Sequence, residues 1–155
     1  MERTDEELMR LALDHAVMAR DSGNTPVAAV IARGADILAV GENARWTSGD
    51  CTAHAEIVAI RKALAEHGAE AVAGSSCYTT MEPCPMCAWA IVEAGLARVV
   101  MGARHHQLGR RDYGKYRLET FYEETGQQID VTDGVLAEEC GAMRLEWMRS
   151  VGREA

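Results

Sequence analysis

Two short stretches, His54-Ala55-Glu56 and Pro83-Cys84-Pro85-Met86-Cys87, decide how this chain folds and what chemistry it carries. Together they supply one imidazole, two thiols and one further carboxylate. Zinc prefers nitrogen and sulfur ligands in a tetrahedron, and a catalytic zinc site keeps its fourth position open for water. One histidine and two cysteines beside a spare carboxylate therefore predict a hydrolytic zinc site rather than a structural one.

The spacing of these residues constrains their setting. His54 and Glu56 are two positions apart, so they can serve one site only if a helix begins there and meets the site end-on. Thr52 is a plausible N-cap for that helix. Cys84 and Cys87 are three apart and share one face at the start of the next helix. Both helices then direct their positive ends at the metal, which favours thiolates.

The cysteine pair has two other interpretations. A lone Cys-x-x-Cys can be a redox pair or half of a structural zinc site. This chain has no second Cys-x-x-Cys, and His54 completes a ligand set with Cys84 and Cys87. We therefore expect one catalytic zinc ion, with Glu56 left over as the acid and base.

Length and composition indicate the class of protein that carries this site. The chain has 155 residues, 48% apolar and 26% charged, which fits one domain over residues 1–155. Its N-terminus is too charged for a signal peptide, and no apolar run approaches a membrane-spanning length of about 18 residues. Five cysteines, an odd number without regular spacing, indicate reduced thiols and a cytoplasmic protein.

Charge argues against a large nucleic-acid footprint. The net charge is −8, whereas phosphate contacts usually need a basic face. The exception is residues 103–117, here called the basic loop, which contain five arginine and lysine residues and one acidic residue, Asp112. This loop could contact RNA phosphates, cover a small substrate as a lid, or form a solvated face. The lid, or a dimer contact, is the favoured interpretation.

The hydrophobic pattern predicts alternating helices and strands. Thr4 to Glu7 reads as a capping box, and Gly23 ends the helix that follows. A buried strand at Val27–Ala32 precedes its hairpin partner at Asp36–Val40, and residues 41–51 read as a polar loop. Further along, we expect helices near 52–67, 84–94 and 135–148, and strands near 77–80, 98–102 and 129–132. This order indicates an α/β sandwich with helices on both faces of the sheet.

The chain resembles the cytidine deaminase-like zinc hydrolases over nearly its whole length. The motifs that carry the resemblance are Pro26-Val27-Ala28-Ala29-Val30, Asn43, Thr52-Ala53-His54-Ala55-Glu56, Tyr78-Thr79-Thr80 and Glu82-Pro83-Cys84-Pro85-Met86-Cys87. The resemblance implies a three-layer α/β/α sandwich around a five-stranded mixed sheet, one zinc ion per chain and usually a homodimer.

The resemblance also implies a reaction. Hydrolytic deamination replaces an exocyclic amine of a nucleobase, nucleoside or related heterocycle with a carbonyl and releases ammonia. Glu56 would take a proton from the attacking water, pass it to a ring nitrogen and help protonate the leaving ammonia. A non-catalytic, zinc-held binding module is the remote alternative, because such a module has no use for the Glu56 carboxylate.

Three branches of that family are similar to parts of the chain. Pro-Met between the cysteines, residues 60–63 and the acidic charge look like guanine deaminases, and a small-molecule substrate of that kind is favoured. Val27, residues 102–104 and residues 134–140 look like tRNA adenosine deaminases. Residues 78–81 and 114–116 resemble cytosine deaminases. Partner molecules are therefore a small nucleobase or nucleoside, with tRNA disfavoured by the net charge.

Several residues are expected to contact the substrate. The resemblance implies that Asn43 hydrogen-bonds the base and that the backbone N–H of Ala55 helps to hold it. Ala28 replaces a common glycine beside Val27, so its methyl group would narrow the pocket floor. The last two candidates are Trp46, which can stack on a base, and His105, which follows a strand whose end should lie near the site.

Overall fold

A computed structural model describes residues 2–152, and a mixed five-stranded sheet runs through its centre. The strands are β1 (Ala28–Arg33), β2 (Asp36–Glu42), β3 (Ser76–Met81), β4 (Arg98–Ala103) and β5 (Asp130–Thr132). Their order across the sheet is β2-β1-β3-β4-β5. Strand β1 is antiparallel to β2 and β3, whereas β3, β4 and β5 are parallel. The predicted five-stranded mixed sheet is confirmed.

Helices cover both faces of this sheet. The helices are α1 (Asp5–Asp21), α2 (Arg45–Ser48), α3 (Ala55–His67), α4 (Ala69–Val72), α5 (Pro85–Glu93), α6 (Leu118–Glu124) and α7 (Ala137–Ser150), with one 3₁₀ turn at His106–Leu108. Successive side chains of a strand point to opposite faces, and residues 28–32 of β1 are all buried. Both faces of the sheet are therefore packed, as the predicted α/β sandwich requires.

The predicted capping box at the start of α1 is present. The Thr4 hydroxyl accepts a hydrogen bond from the Glu7 N–H, and the Glu7 carboxylate accepts one from the Thr4 N–H. These two bonds satisfy N–H groups that the first turn of a helix leaves unpaired. The buried side of α1, which includes Leu8 and Met9, packs on β1 and β3.

Close approach between β2 and α3 brings the first half of the site into place. A Cβ atom on Gly41 would lie 2.4 Å from both the Ala55 carbonyl oxygen and the Ala59 nitrogen. Only glycine leaves room for the backbone of α3 at this distance. The start of α3 is thereby pressed against the sheet and also contacts α5.

Three short helices were not predicted, and one of them, α4, directly follows the helix expected near 52–67. Helix α2 lies inside residues 41–51, and α6 lies in the stretch before residue 128 that carried no clear pattern. Each spans only one or two turns, so its apolar residues cannot show a helical period. Within residues 2–152, no helix is long and apolar enough to cross a membrane.

Candidate active site

The predicted metal ligands converge at the starts of two helices. His54 Nδ1 lies 3.5 Å from Cys84 Sγ and 3.6 Å from Cys87 Sγ, and one donor atom from each residue lies within 4.8 Å of the others. Zinc with Zn–S of about 2.3 Å and Zn–N of about 2.0–2.1 Å at the tetrahedral angle sets the S···N separation near 3.6 Å. The donor set therefore fits one zinc ion.

The helix starts hold these donors as the spacing predicted, with one correction. His54, not Thr52, is the N-cap of α3, and the Thr52 hydroxyl donates to Asp50 Oδ1 instead, over 2.7 Å. Cys84 is the N-cap of α5, and its sulfur accepts from the Cys87 N–H over 3.5 Å. The helix N-termini therefore meet the metal donors end-on.

The environment of the Cys84 side chain favours its thiolate form. Hydrogen bonds from the Cys87 thiol and then from His54 lower the pKa of the Cys84 thiol to about 4. The same hydrogen bond, which His54 donates to the Cys84 sulfur, is the main reason that the pKa of His54 is raised. A thiolate is the form of cysteine that binds a metal.

The fourth residue of the motifs, Glu56, lies in the first turn of α3 and is buried. Its Oε1 is 3.1 Å from the Thr79 hydroxyl oxygen on β3, and that hydroxyl also lies 3.0 Å from the Met81 carbonyl oxygen. Burial is the main reason that the pKa of the Glu56 carboxyl is raised. Thr79 is a polar neighbour that sequence reasoning did not select, although it lies within a quoted motif.

A cavity of about 150 Å³ adjoins these residues. Its walls come from the first strand region, α2, the starts of α3 and α5, the basic loop and α7. The lining residues are Thr25, Val27, Arg45, Trp46, His54, Ala55, Glu56, Met81, Glu82, Cys84, His105, Arg110, Asp112, Tyr113 and Arg144. Four of the six predicted substrate-binding residues, Val27, Trp46, Ala55 and His105, are in this set.

The other two predicted substrate-binding residues, Asn43 and Ala28, are buried and are not among the lining residues. Asn43 is buried, and its Oδ1 accepts from the Arg45 N–H over 3.2 Å. Ala28 is fully buried in β1, and its N–H donates to the Thr80 hydroxyl over 3.3 Å. Neither residue is among the described residues that line the cavity, so their contacts with a substrate stay predictions.

The basic loop forms one wall of the cavity. Within it, the Arg110 guanidinium donates to His105 Nδ1 over 3.0 Å and also pairs with Asp112. Burial, then the positive charges of Arg110 and Arg144, lower the pKa of His105 to about 3. His105 is therefore neutral near pH 7, and the Tyr113 ring packs against it edge-on with centroids 5.2 Å apart.

Two of the loop's five positive side chains, Arg104 and Arg110, pair with carboxylates. Arg104 is buried and pairs with Glu82, Glu119 and Asp133 at 3.1, 2.6 and 3.0 Å. These carboxylates come from distant parts of the chain, so a count of charges along residues 103–117 could not reveal the pairing. The loop presents less positive charge to solvent than its sequence indicates.

The three other cysteines carry no ligand role in this arrangement. Cys77 and Cys140 are buried and pack as small apolar groups, whereas Cys51 is exposed. All five cysteines are free thiols.

Comparisons with known proteins agree with this site. Residues 2–103 match the family described as the cytidine and deoxycytidylate deaminase zinc-binding region. A tRNA-specific adenosine deaminase of Bacillus subtilis is 35% identical over 150 residues, which cover 97% of this chain and 92% of that protein.

Two solved structures share the fold. A structure from a study of A-to-I editing by tRNA:A34 deaminases at the wobble position is 32% identical, with a TM-score of 0.76, over 88% of this chain and 97% of that one. The protein NE0047 in complex with 2,6-diaminopurine is 25% identical, with a TM-score of 0.81, over 93% of this chain and 81% of that one.

Family, fold and donor geometry agree on the class of protein. The matched region contains the His54 and Cys84–Cys87 ligands as well as Glu56. The expectation of an enzyme is confirmed, and the non-catalytic binding module is not supported. The chain belongs to the cytidine and deoxycytidylate deaminase family of zinc-dependent hydrolytic deaminases.

Proposed function

We propose that this enzyme deaminates a free nucleobase, a nucleoside or a related heterocycle, with guanine-like purines favoured. The observation that carries the proposal is the cavity beside the metal donors. At about 150 Å³ it is smaller than the roughly 300–1,000 Å³ of cavities that take drug-sized ligands. Such a space suits a single ring system, and the basic loop covers one side of it.

The four motif residues divide into three metal ligands and one proton-transferring group in this proposal. His54, Cys84 and Cys87 hold zinc, which when bound supplies a Lewis acid that activates water. Glu56 accepts a proton from that water and delivers it to a ring nitrogen of the substrate. It then helps the amine to leave as ammonia, so one water is consumed and a carbonyl replaces the amine. The Thr79 hydroxyl orients the Glu56 carboxylate.

The cavity lining supplies the candidates for substrate binding. The Ala55 N–H, at the start of α3, is one of the N–H groups that a helix leaves unpaired, and it can donate to a ring oxygen or nitrogen. Trp46 offers a partly exposed ring, with the Arg45 guanidinium 4.7 Å from its centroid. Val27 and His105 complete this set. The hydrogen bond of Asn43 to the base and the narrowing of the pocket floor by Ala28 remain part of the proposal.

Adenosine in tRNA is the second candidate substrate. It is supported by the 35% identity to a tRNA-specific adenosine deaminase over 97% of the chain. The charge distribution favours the small substrate: the net charge is −8, and Arg104 and Arg110 pair with carboxylates instead of facing solvent.

Three further expectations belong to the proposal. Residues 1–155 form one deaminase domain, the enzyme works in the cytoplasm, and it forms a homodimer. Five free thiols support a reducing compartment. Met86 and Trp89, both exposed on α5, offer apolar surface for a second copy. Sedimentation of the zinc-loaded protein would test the dimer.

An ammonia-release screen tests the proposal. The zinc-loaded enzyme is incubated with guanine, adenine, cytosine, their nucleosides and a tRNA anticodon stem. We expect release from a free base or nucleoside, with guanine or a close analogue leading. Release from the tRNA stem alone, together with binding that weakens steeply as salt is raised, would replace the proposal with the tRNA candidate.

A further inference from the structure

Glu82 lies between the end of β3 and the metal ligand Cys84, and its side chain is fully buried. Its Oε1 accepts from the His105 N–H over 3.1 Å. Its Oε2 accepts from the Leu118 N–H over 3.0 Å and from Arg104 Nη2 over 3.1 Å. A single carboxylate therefore receives three N–H donors in the interior of the protein.

The three donors come from the two ends of the basic loop. Arg104 and His105 lie at its beginning, and Leu118 follows directly after its last residue. Between these ends the loop contributes Arg110, Asp112 and Tyr113 to the cavity wall. One side chain next to the metal ligands thus holds both ends of the segment that covers the cavity.

A second contact also attaches the basic loop to the turn before Cys84. The Tyr116 hydroxyl, inside the basic loop, donates to the Pro83 carbonyl oxygen over 2.6 Å. Pro83 is the residue between Glu82 and Cys84. The loop is therefore attached to the turn before the metal ligand at three places: its beginning, its last few residues and its end.

We propose that Glu82 is a positioning residue, which fixes the basic loop to the turn that carries Cys84 and so sets the place of His105 and Tyr113 beside the reacting centre. The proposal deepens the proposed function, and it rests on that function only for its kinetic test. Glu82 lines the cavity, and both of its carboxylate oxygens accept hydrogen bonds from the ends of the loop.

The arrangement of donors predicts that glutamine holds the loop less tightly than this glutamate. Each carboxylate oxygen faces at least one N–H group, so an amide NH₂ in either orientation would oppose a backbone donor. Arg104 would keep its two other carboxylates, Glu119 and Asp133. Glu82→Gln therefore weakens the hold on the loop without leaving a buried guanidinium unpaired.

Limited trypsin digestion of the zinc-loaded protein tests this hold without reference to activity. Besides the buried Arg104, the loop contains four trypsin sites, at Arg110, Arg111, Lys115 and Arg117. We expect cleavage within residues 110–117 to be at least 10-fold faster in Glu82→Gln than in wild type, with zinc content unchanged. Equal cleavage rates would overturn the proposal.

Glu119→Gln is the matched control. It alters another carboxylate that pairs with Arg104. Glu119 is partly exposed, and its carboxylate accepts from the Arg104 guanidinium rather than from a backbone N–H of the loop. Its loop should be cleaved at the wild-type rate. Equally fast cleavage in both variants would show that only the Arg104 charge pairing matters, and would overturn the role of Glu82.

The kinetic test uses the base or nucleoside on which wild type releases ammonia fastest among guanine, adenine, cytosine and their nucleosides. Glu82→Gln should raise KM at least 10-fold and change kcat less than 3-fold, whereas Glu119→Gln should change neither. A drop in kcat with unchanged KM would contradict positioning of the substrate wall. Absence of turnover in wild type would sink the proposed function and leave the digestion result to decide the role of Glu82.

A second variant covers the case in which Glu82→Gln does not fold, as judged by circular dichroism. Tyr116→Phe removes only the hydroxyl that donates to Pro83 and keeps the ring. Loop cleavage should rise about 3-fold or more in this variant. A wild-type rate in Tyr116→Phe, with Glu82→Gln unfolded, would overturn the proposal that the turn holds the loop.

Discussion

The Thr79 hydroxyl oxygen lies 3.1 Å from Oε1 of Glu56, and both side chains are buried. Thr79 belongs to a central strand, and Glu56 to the first turn of the helix that also carries His54 at its start. The contact ties the proposed acid and base to the middle strand of the sheet. The direction of the Glu56 carboxylate therefore depends on a side chain from the sheet.

Thr79→Val tests this dependence, because valine keeps the shape of threonine and removes the hydroxyl. We expect kcat to fall about 10-fold, equivalent to roughly 1.4 kcal/mol, as the carboxylate loses its orienting donor. Steady-state ammonia release, with zinc content measured on the same sample, checks the outcome. Thr79→Ser should stay near the wild-type rate; a valine variant as fast as wild type would remove Thr79 from the account.

Metal binding depends on converging donors rather than on thiols in general. Cys84→Ser should lose most of its zinc, because a serine hydroxyl is a poor ligand where two thiolates and an imidazole meet. Cys51→Ser, which changes an exposed cysteine close in sequence to His54, should retain one zinc per chain. Elemental analysis after gel filtration distinguishes the two, and equal zinc in both variants would contradict the ligand assignment.

His105 should make the fold sensitive to acid. The folded-state pKa of His105 is lowered to about 3, mainly by burial, whereas an unfolded histidine titrates near 6.5. Between pH 6.5 and pH 3, the unfolded chain therefore binds a proton at His105 that the folded chain does not bind. The free energy of unfolding is accordingly undiminished above pH 6.5 and falls as the pH is lowered towards 3. Between pH 7 and pH 5 the loss is at most about 2 kcal/mol.

Urea unfolding at pH 7 and pH 5 measures this loss, with His105→Gln as the comparison. Protonation of the metal ligands affects both proteins, so the difference between them isolates His105. The glutamine variant should lose less stability on acidification than wild type. An identical loss in the two proteins would show that His105 is not held neutral in the folded state.

Local patterns anticipated the parts of the fold that depend on local physics. The capping box at Thr4 and the end of α1 near Gly23 are set by groups close together in sequence. The strand pair of residues 28–33 and 36–42 follows from apolar runs around a tight turn. The metal donors were predictable because a ligand set at helix starts restricts both residue type and spacing.

Other features depended on contacts that no local pattern contains. Thr52 looked like a helix cap, but its hydroxyl donates to Asp50, and the helix begins two residues later. Arg104 looked like a free charge in a basic loop, but buried and distant carboxylates surround it. Glu82 stood in the metal motif without a role, because its three donors come from residues 104–118.

The most direct test of the central claim compares wild type with Glu56→Gln on one preparation each, by zinc content and ammonia release from the base or nucleoside that wild type uses best. The account predicts one zinc per chain in both proteins and a fall in kcat of at least about 100-fold in the variant, the scale expected when a proton-transferring group is lost. A zinc-loaded Glu56→Gln enzyme with the wild-type rate would contradict it.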